Sequence, residues 1–249
     1  MKTYKTSEVA RIIGVHPNTV RLYEKIGFIS AAERGENGYR AYTELHIAQL
    51  RLVRTAMRAE VLQNGLRGKA VGIARLAAEM RLSEAELAAE EYLLMIDAET
   101  ERAKTAVSSV EKLLGSKPAD DDTLLTRKQA ASALGVTADA LRNWELNGLF
   151  KIRRKENGYR VYSSADMTQL SIIRTLRCAN YSLAAILRLM NNLSEGGSVS
   201  VSGVLNTPSP DEEIISVCDR LLVSLADTRA DALSISEQLG KLKKYKPST

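Results

Sequence analysis

Two short stretches carry side chains suited to reading the edges of nucleotide bases. In the first, Asn18, Thr19 and Arg21 follow His16-Pro17; in the second, Asp139 and Arg142 follow Thr137-Ala138. Arginine forms bidentate pairs with guanine and asparagine with adenine. Side chains near the amino-terminal end of a recognition helix are the ones that enter a major groove. Other chemistries lack their parts. His16 and His46 are the only histidines and Cys178 and Cys218 the only cysteines, too few and too scattered for a cysteine-based zinc site or a disulfide framework. His16 falls where a helix cap is expected, and both cysteines are expected to pack as small apolar groups. No nucleophile triad, P-loop or dinucleotide fingerprint occurs. The chain is expected to be no enzyme and to carry no cofactor or metal.

The elements that must position these residues come in two copies. Residues 4–55 align with 125–175 at an offset of 121, falling to 120 after a one-residue deletion, with about 17 of some 51 positions identical. Ala10, Gly14, Val15, Arg21, Glu24 and Gly27 match Ala131, Gly135, Val136, Arg142, Glu145 and Gly148. Glu36-Asn37-Gly38-Tyr39-Arg40 matches Glu156-Asn157-Gly158-Tyr159-Arg160, and Tyr42 matches Tyr162. In each copy a short helix (6–13, 127–134) stops at a glycine suited to a left-handed terminal position. A tight turn leads to a second helix (17–25, 138–146), and Pro17 suits a first helical turn. Thr126 and Gln129 have capping-box spacing. Helix, turn, helix within ~20 residues is the helix-turn-helix pattern. A short hairpin follows, running from Phe28-Ile29 to Arg40-Ala41-Tyr42 and from Leu149-Phe150 to Arg160-Val161-Tyr162. Asn-Gly marks its turn, because both turn positions require positive φ. That hairpin is a wing. Further helices are expected over 43–58 and 164–178, with another from Tyr181-Ser182.

The chain has 249 residues and a net charge of +5. Residues 1–82 and 123–193 each carry a net +7, whereas 83–114 carry −5. Two basic blocks held apart by acidic ones suit two patches that meet a polyanion. Neither a membrane-length apolar run nor an apolar leader is present, so a cytoplasmic protein without membrane association is expected.

Residues 83–114 and 211–246 read as long helices. Ala89, Leu93, Ile96, Thr100, Ala103, Val107, Val110 and Leu114 follow alternating three-and-four spacing, as do Ile214, Cys218, Leu221, Leu225, Thr228, Ala232, Ile235, Leu239 and Leu242. Such a period marks a coiled-coil seam. The expected organisation is a winged domain over 1–82, a long helix over 83–114 and a linker over 115–124. A second winged domain over 125–193, a flexible loop over 194–210 and a second long helix over 211–246 complete it. The fold class is mainly α, with two winged helix-turn-helix units and two long helices.

These residues resemble the MerR family of bacterial transcription regulators. The resemblance rests on Val20-Arg21-Leu22-Tyr23-Glu24 and Arg34-Gly35-Glu36-Asn37-Gly38-Tyr39-Arg40-Ala41-Tyr42. It recurs in Leu141-Arg142-Asn143-Trp144-Glu145 and Arg154-Lys155-Glu156-Asn157-Gly158-Tyr159-Arg160-Val161-Tyr162. It departs at Leu22 and at Asn143-Trp144, where the family usually has tyrosines. The resemblance implies phosphate contacts by Tyr23, Tyr39, Arg40 and Tyr42, with Trp144, Tyr159, Arg160 and Tyr162 equivalent. Tyr42 and Tyr162 have an alternative role, packing the wing on the helices. Arg54 and Arg174 are further candidates for such contacts or merely exposed helix residues.

The resemblance further implies that the long helices pair antiparallel. Only a short linker of at most ~28 Å separates the first of them from the second winged domain. A covalent, monomeric pseudo-dimer is therefore expected, with a homodimer of four readers as the alternative. Double-stranded promoter DNA is the implied partner, and RNA polymerase is engaged indirectly through the promoter. A pseudo-dimer with unlike readers should bind an imperfect palindrome in a promoter spacer and distort it, to activate or to repress. An architectural DNA-bending protein and a small-molecule (drug) sensor are the alternatives; an effector would lie between the copies or along the coiled coil.

Overall fold

The structure, a computed structural model, describes residues 2–35, 38–58, 65–116, 124–154, 160–195, 200–208 and 217–245. The chain divides into two compact units, each assembled from both halves of the sequence: 1–98 with 225–249, and 99–224.

The first unit contains α1 (Thr6–Ile13), α2 (Pro17–Lys25), β1 (Glu33–Arg34), β2 (Arg40–Ala41), α3 (Glu44–Arg58) and α4 (Leu66–Ala78). It also takes the start of α5 (Leu82–Gly115) and most of α11 (Leu221–Leu242). The second unit contains the rest of α5, α6 (Arg127–Leu134), α7 (Ala138–Leu146), β3 (Arg153–Arg154), β4 (Arg160–Val161) and α8 (Ser164–Cys178). It continues with α9 (Leu183–Ser194), α10 (Val201–Asn206) and a 3-10 turn at Val217–Arg220.

Local chemistry sets the ends of the helix-turn-helix elements. Gly14 and Gly135 terminate α1 and α6 with φ of +73° and +61°, which a side chain would resist. The Glu8 carboxylate accepts the Lys5 N–H at 2.7 Å and Gln129 accepts the Thr126 N–H at 2.9 Å. Pro17 opens α2, where the His16 Nδ1 accepts the Asn18 N–H at 3.1 Å. Thr137 does the same for α7, accepting the Ala140 N–H at 3.0 Å. Each cap is worth about 1 kcal/mol.

The two wings share a register: Arg34 faces Arg40, and Arg154 faces Arg160. Their outer strands begin later than expected, because Phe28-Ile29 and Leu149-Phe150 are buried anchors ahead of the hairpin rather than strand residues. Backbone bonds also pair Tyr4 with Tyr42 and Leu125 with Tyr162, so each wing is stitched to the chain entering its first helix. Gln49 adds a tie in the first copy: its amide donates to the Ala77 carbonyl at 3.1 Å and accepts the Ser30 N–H at 3.0 Å. The aligned Gln169 is exposed.

Both long helices form, with corrections. The buried face of α5 runs through Leu82, Ala85, Ala89, Tyr92, Ile96, Glu99, Ala103, Ala106 and Val110. Leu93 and Thr100 are only half-buried and Leu114 is 40% exposed, so the seam shifts to Tyr92 and Glu99 there, whereas the expected Ala89, Ile96, Ala103, Val107 and Val110 are buried. Glu99 is tolerated there because Arg102 donates to it and Asn180 lies at 3.4 Å, both in its own unit. In α11 the expected Leu221, Leu225, Thr228, Ala232, Ile235, Leu239 and Leu242 are all buried. The α-helix starts only at Leu221, after the 3-10 turn that holds Cys218, and Ile214 lies outside the described residues.

Within the first unit α5 and α11 run antiparallel. Lys243 meets Glu86 at 2.7 Å and Arg229 meets Asp97 at 2.8 Å. On its other side α11 meets α3, where Gln238 donates to Thr55 at 3.0 Å and Arg58 pairs with Asp231 at 3.1 Å.

The stretch 194–210, expected to be a flexible loop, contains α10. Val201 and Leu205 are fully buried, and Ser200 caps the helix. Arg188 donates to the Val204 carbonyl at 2.8 Å and to the Asp219 carbonyl at 2.8 Å. Residues 117–123, most of the expected linker, lie outside the described residues. Among the described residues no helix is long and apolar enough to cross a membrane.

Candidate nucleic-acid interface

The recognition helices α2 and α7 each bury one apolar face and expose the other. Val20 and Leu141 are fully buried, fixing the rotation of their helices. That rotation leaves Asn18 and Arg21, and equally Asp139 and Arg142, exposed, with Thr19 half-buried. Arg21 donates to the Asn18 side-chain oxygen at 2.9 Å. The pair is thereby oriented one helical turn apart on the outer surface. The expected base-reading residues of each copy thus share one exposed helix face.

In each copy the arginine of the second wing strand is held by a glutamate from the recognition helix. Arg40 Nε donates to Glu24 at 2.6 Å, and Glu24 also accepts the Tyr42 hydroxyl at 3.1 Å and the Ala32 N–H at 3.3 Å. In the second copy Arg160 Nε donates to Glu145 at 2.9 Å. Side-chain exposure is 33% for Arg40 against 12% for Glu24. The carboxylate is therefore the inner, positioning partner and the guanidinium faces outward. Glu24 and Glu145 are visible in the sequence only as identical residues in matching places; their role needs the wing folded onto the helix.

Tyr39 is 75% exposed and Tyr23 half-buried, with its ring 5.8 Å from that of Phe28. The bodies of three further aromatic candidates are covered: Tyr42 is 0% exposed, Tyr162 1% and Trp144 6%, and the Tyr42 hydroxyl donates to Glu24. Burial and the neighbouring Glu24 carboxylate push the Tyr42 hydroxyl up to about 12, keeping it a hydrogen-bond donor. Tyr162 lies against Phe150, with ring centroids 6.5 Å apart. These aromatics fasten the wings to the helices. Tyr159 falls outside the described residues, as do Glu36, Asn37, Glu156, Asn157 and Gly158 of the wing tips.

Arg54 and Arg174 are both exposed. So is Cys178, against the expectation that it packs. Among the described residues no group of three or more His, Cys, Asp or Glu side chains is placed to hold a metal ion.

Residues 5–42 match the MerR family regulatory protein family, and residues 125–193 match the MerR HTH family regulatory protein family. The chain is 44% identical over 50 residues to the HTH-type transcriptional regulator CueR of Escherichia coli O157:H7, covering 20% of this chain and 37% of that protein. It is 38% identical over 53 residues to the HTH-type transcriptional regulator ZntR of Escherichia coli strain K12, covering 21% of this chain and 38% of that protein. Over 51 residues it is 35% identical to the mercuric resistance operon regulatory protein of Bacillus cereus, covering 20% of this chain and 39% of that protein. The chain therefore spans under two fifths of the length of these curated relatives, all of them regulators rather than enzymes. Among solved structures, HiNmlR, a MerR family regulator lacking the sensor domain and bound to promoter DNA, aligns at 24% identity with a TM-score of 0.29, over 49% of this chain and 78% of that one. Each winged helix-turn-helix thus matches a MerR family model, and the chain carries two MerR-like units.

Proposed function

We propose that the protein is a sequence-specific DNA-binding regulator of transcription in which one chain supplies both readers of an imperfect palindrome. The observation that carries this reading is the pair of exposed recognition faces with unlike chemistry, Asn18, Thr19 and Arg21 on one and Asp139 and Arg142 on the other. These five residues contact base edges. Tyr23, Tyr39, Arg40 and Arg160, with Tyr159, contact the sugar-phosphate backbone and set the register. Asn18 suits adenine and Asp139 suits cytosine, so the half-sites differ.

Support for a self-sufficient chain comes from the first unit. The helix that pairs antiparallel with the start of α5 and packs on α3 is the chain's own α11. A chain with a single reader would need that helix from a partner. Within a promoter spacer, two readers held by such helices bend or untwist the DNA between them, and RNA polymerase responds to the altered promoter. Deforming a site of this size costs ~1–6 kcal/mol, which backbone contacts from two basic blocks offset.

Recovery and footprinting of the genomic DNA bound by the protein tests this reading. One protected segment per promoter, with two unlike half-sites and distorted central base pairs, is the expected pattern. Scattered protection without half-site order would contradict it and would mark an architectural binder.

A further inference from the structure

Beside the first reader the structure holds an open cleft of about 230 Å³, lined by Ile12, Ile13, Arg51, Arg54, Thr55 and Arg58. Its floor comes from the last residues of α1 and its wall from α3. The three arginines stand at positions i, i+3 and i+7 of α3 and so share one face of that helix. All three are exposed. Arg58 is braced, pairing with Asp231 at 3.1 Å. Among the described residues Arg51 and Arg54 have no carboxylate partner. Three arginines thus line one open cavity, with a single carboxylate, Asp231, paired to them among the described residues. Left alone, they repel one another. An anion with several acceptor oxygens relieves that repulsion, and guanidinium forks match a phosphate's geometry in particular.

The cleft's position indicates where the phosphate comes from. Ile12 and Ile13 immediately precede Gly14 and His16, the turn and cap that lead into α2. A duplex seated on the amino-terminal end of α2 therefore runs its backbone past this turn. The second copy lacks two of the three arginines: Ser171 and Cys178 stand where the first copy has Arg51 and Arg58, leaving only Arg174.

We propose that Arg51, Arg54 and Arg58 form a phosphate-binding subsite for the DNA backbone, present in the first reader alone, which makes that reader the tighter anchor of the pair. This rests on the DNA-binding reading above. The subsite adds affinity without sequence preference, because a phosphate carries no base identity. It also extends backbone contact farther on the half-site read by α2 than on the one read by α7.

The test is the salt dependence of duplex binding by the full chain and by the variant Arg51→Gln/Arg54→Gln, with Arg51→Gln alone as a milder second variant. These side chains are exposed, and melting temperatures of the variants check that the fold is kept. Removing one phosphate interaction lowers the slope of log K against log salt by about 0.9. The expected result is a slope reduced by about that amount in the double variant, with equal fold-loss of affinity on cognate and scrambled duplexes. A duplex with one neutral methylphosphonate in the α2 half-site should weaken wild-type binding and leave the variant unaffected. An unchanged slope in the double variant, with wild type bound, overturns this inference alone. Failure of the wild type to bind any duplex overturns the proposed function and this inference together. A free anion as the true ligand would appear as inorganic phosphate raising the melting temperature of wild type but not of the variant, with the DNA slope unchanged, and would overturn the assignment to DNA.

Discussion

Glu24 and Arg40 carry more of the interface than a surface ion pair would. Glu24 is nearly buried and accepts three hydrogen bonds, from the wing guanidinium, the Tyr42 hydroxyl and the Ala32 amide. Hydrogen bonds to a charged group contribute about 1.5–3 kcal/mol each where water is excluded. By contrast the Arg229–Asp97 pair is about half exposed on both sides and belongs to a class worth about 0–1 kcal/mol. Glu24→Gln is expected to lower the unfolding free energy by about 1–3 kcal/mol and to weaken duplex binding, while Asp97→Asn changes either by less than about 1 kcal/mol. Urea unfolding and duplex titration of the two variants check this, and equal effects would contradict the positioning role of Glu24. The sequence reveals the exposed polar residues of the recognition helices well, because one buried valine or leucine fixes the rotation of each. It does not reveal which aromatics face outward. Tyr39 and Tyr42 are of one type and three residues apart, yet one is 75% exposed and the other 0%, a difference set by the hairpin pleat and the contact with Glu24.

Helix ends are the most legible elements, since Gly14, Gly135, Pro17 and the Thr126–Gln129 box act through neighbours in the chain. His46 shows a similar local device at the start of α3. Its Nδ1 accepts the Thr43 N–H at 3.0 Å, and the ring is 5% exposed. Burial holds the imidazole below its usual 6.5, and a proton on Nδ1 would remove the cap. Because the folded state binds this proton less readily than the unfolded chain, stability is full above pH ~6.5 and declines as pH falls through and below that value, by up to about 1.4 kcal/mol per pH unit. Urea midpoints at pH 7.5 and 5.5 are expected to fall farther for wild type than for His46→Gln; parallel declines would contradict this role. Elements whose burial depends on distant residues are not legible. Spacing places Leu93 and Thr100 on the α5 seam because leucine and threonine look more apolar than their neighbours. The actual seam takes Tyr92 and Glu99, the latter held by Asn180 and Arg102. Residues 194–210 read as a tether from their serines and glycines, while α10 is fixed by Arg188, which lies in another element.

At the scale of the whole molecule the duplication is plain in the sequence, and so is the alternation of basic and acidic blocks. Less legible is that each compact unit draws on both halves of the chain, with 225–249 joining 1–98. That exchange follows from the antiparallel pairing of α5 with α11, whose ion pairs at Glu86–Lys243 and Asp97–Arg229 join residues more than 100 positions apart. Under the proposed reading, one chain supplies its own second long helix and its own second reader and binds two half-sites without a partner copy. The most direct test is the mass of the protein, free and on a duplex with both half-sites, by sedimentation at low concentration. One chain of 27.3 kDa, free and per bound duplex, is the expected result. Twice that mass in either state would contradict the single-chain reader and require a homodimer with four recognition helices.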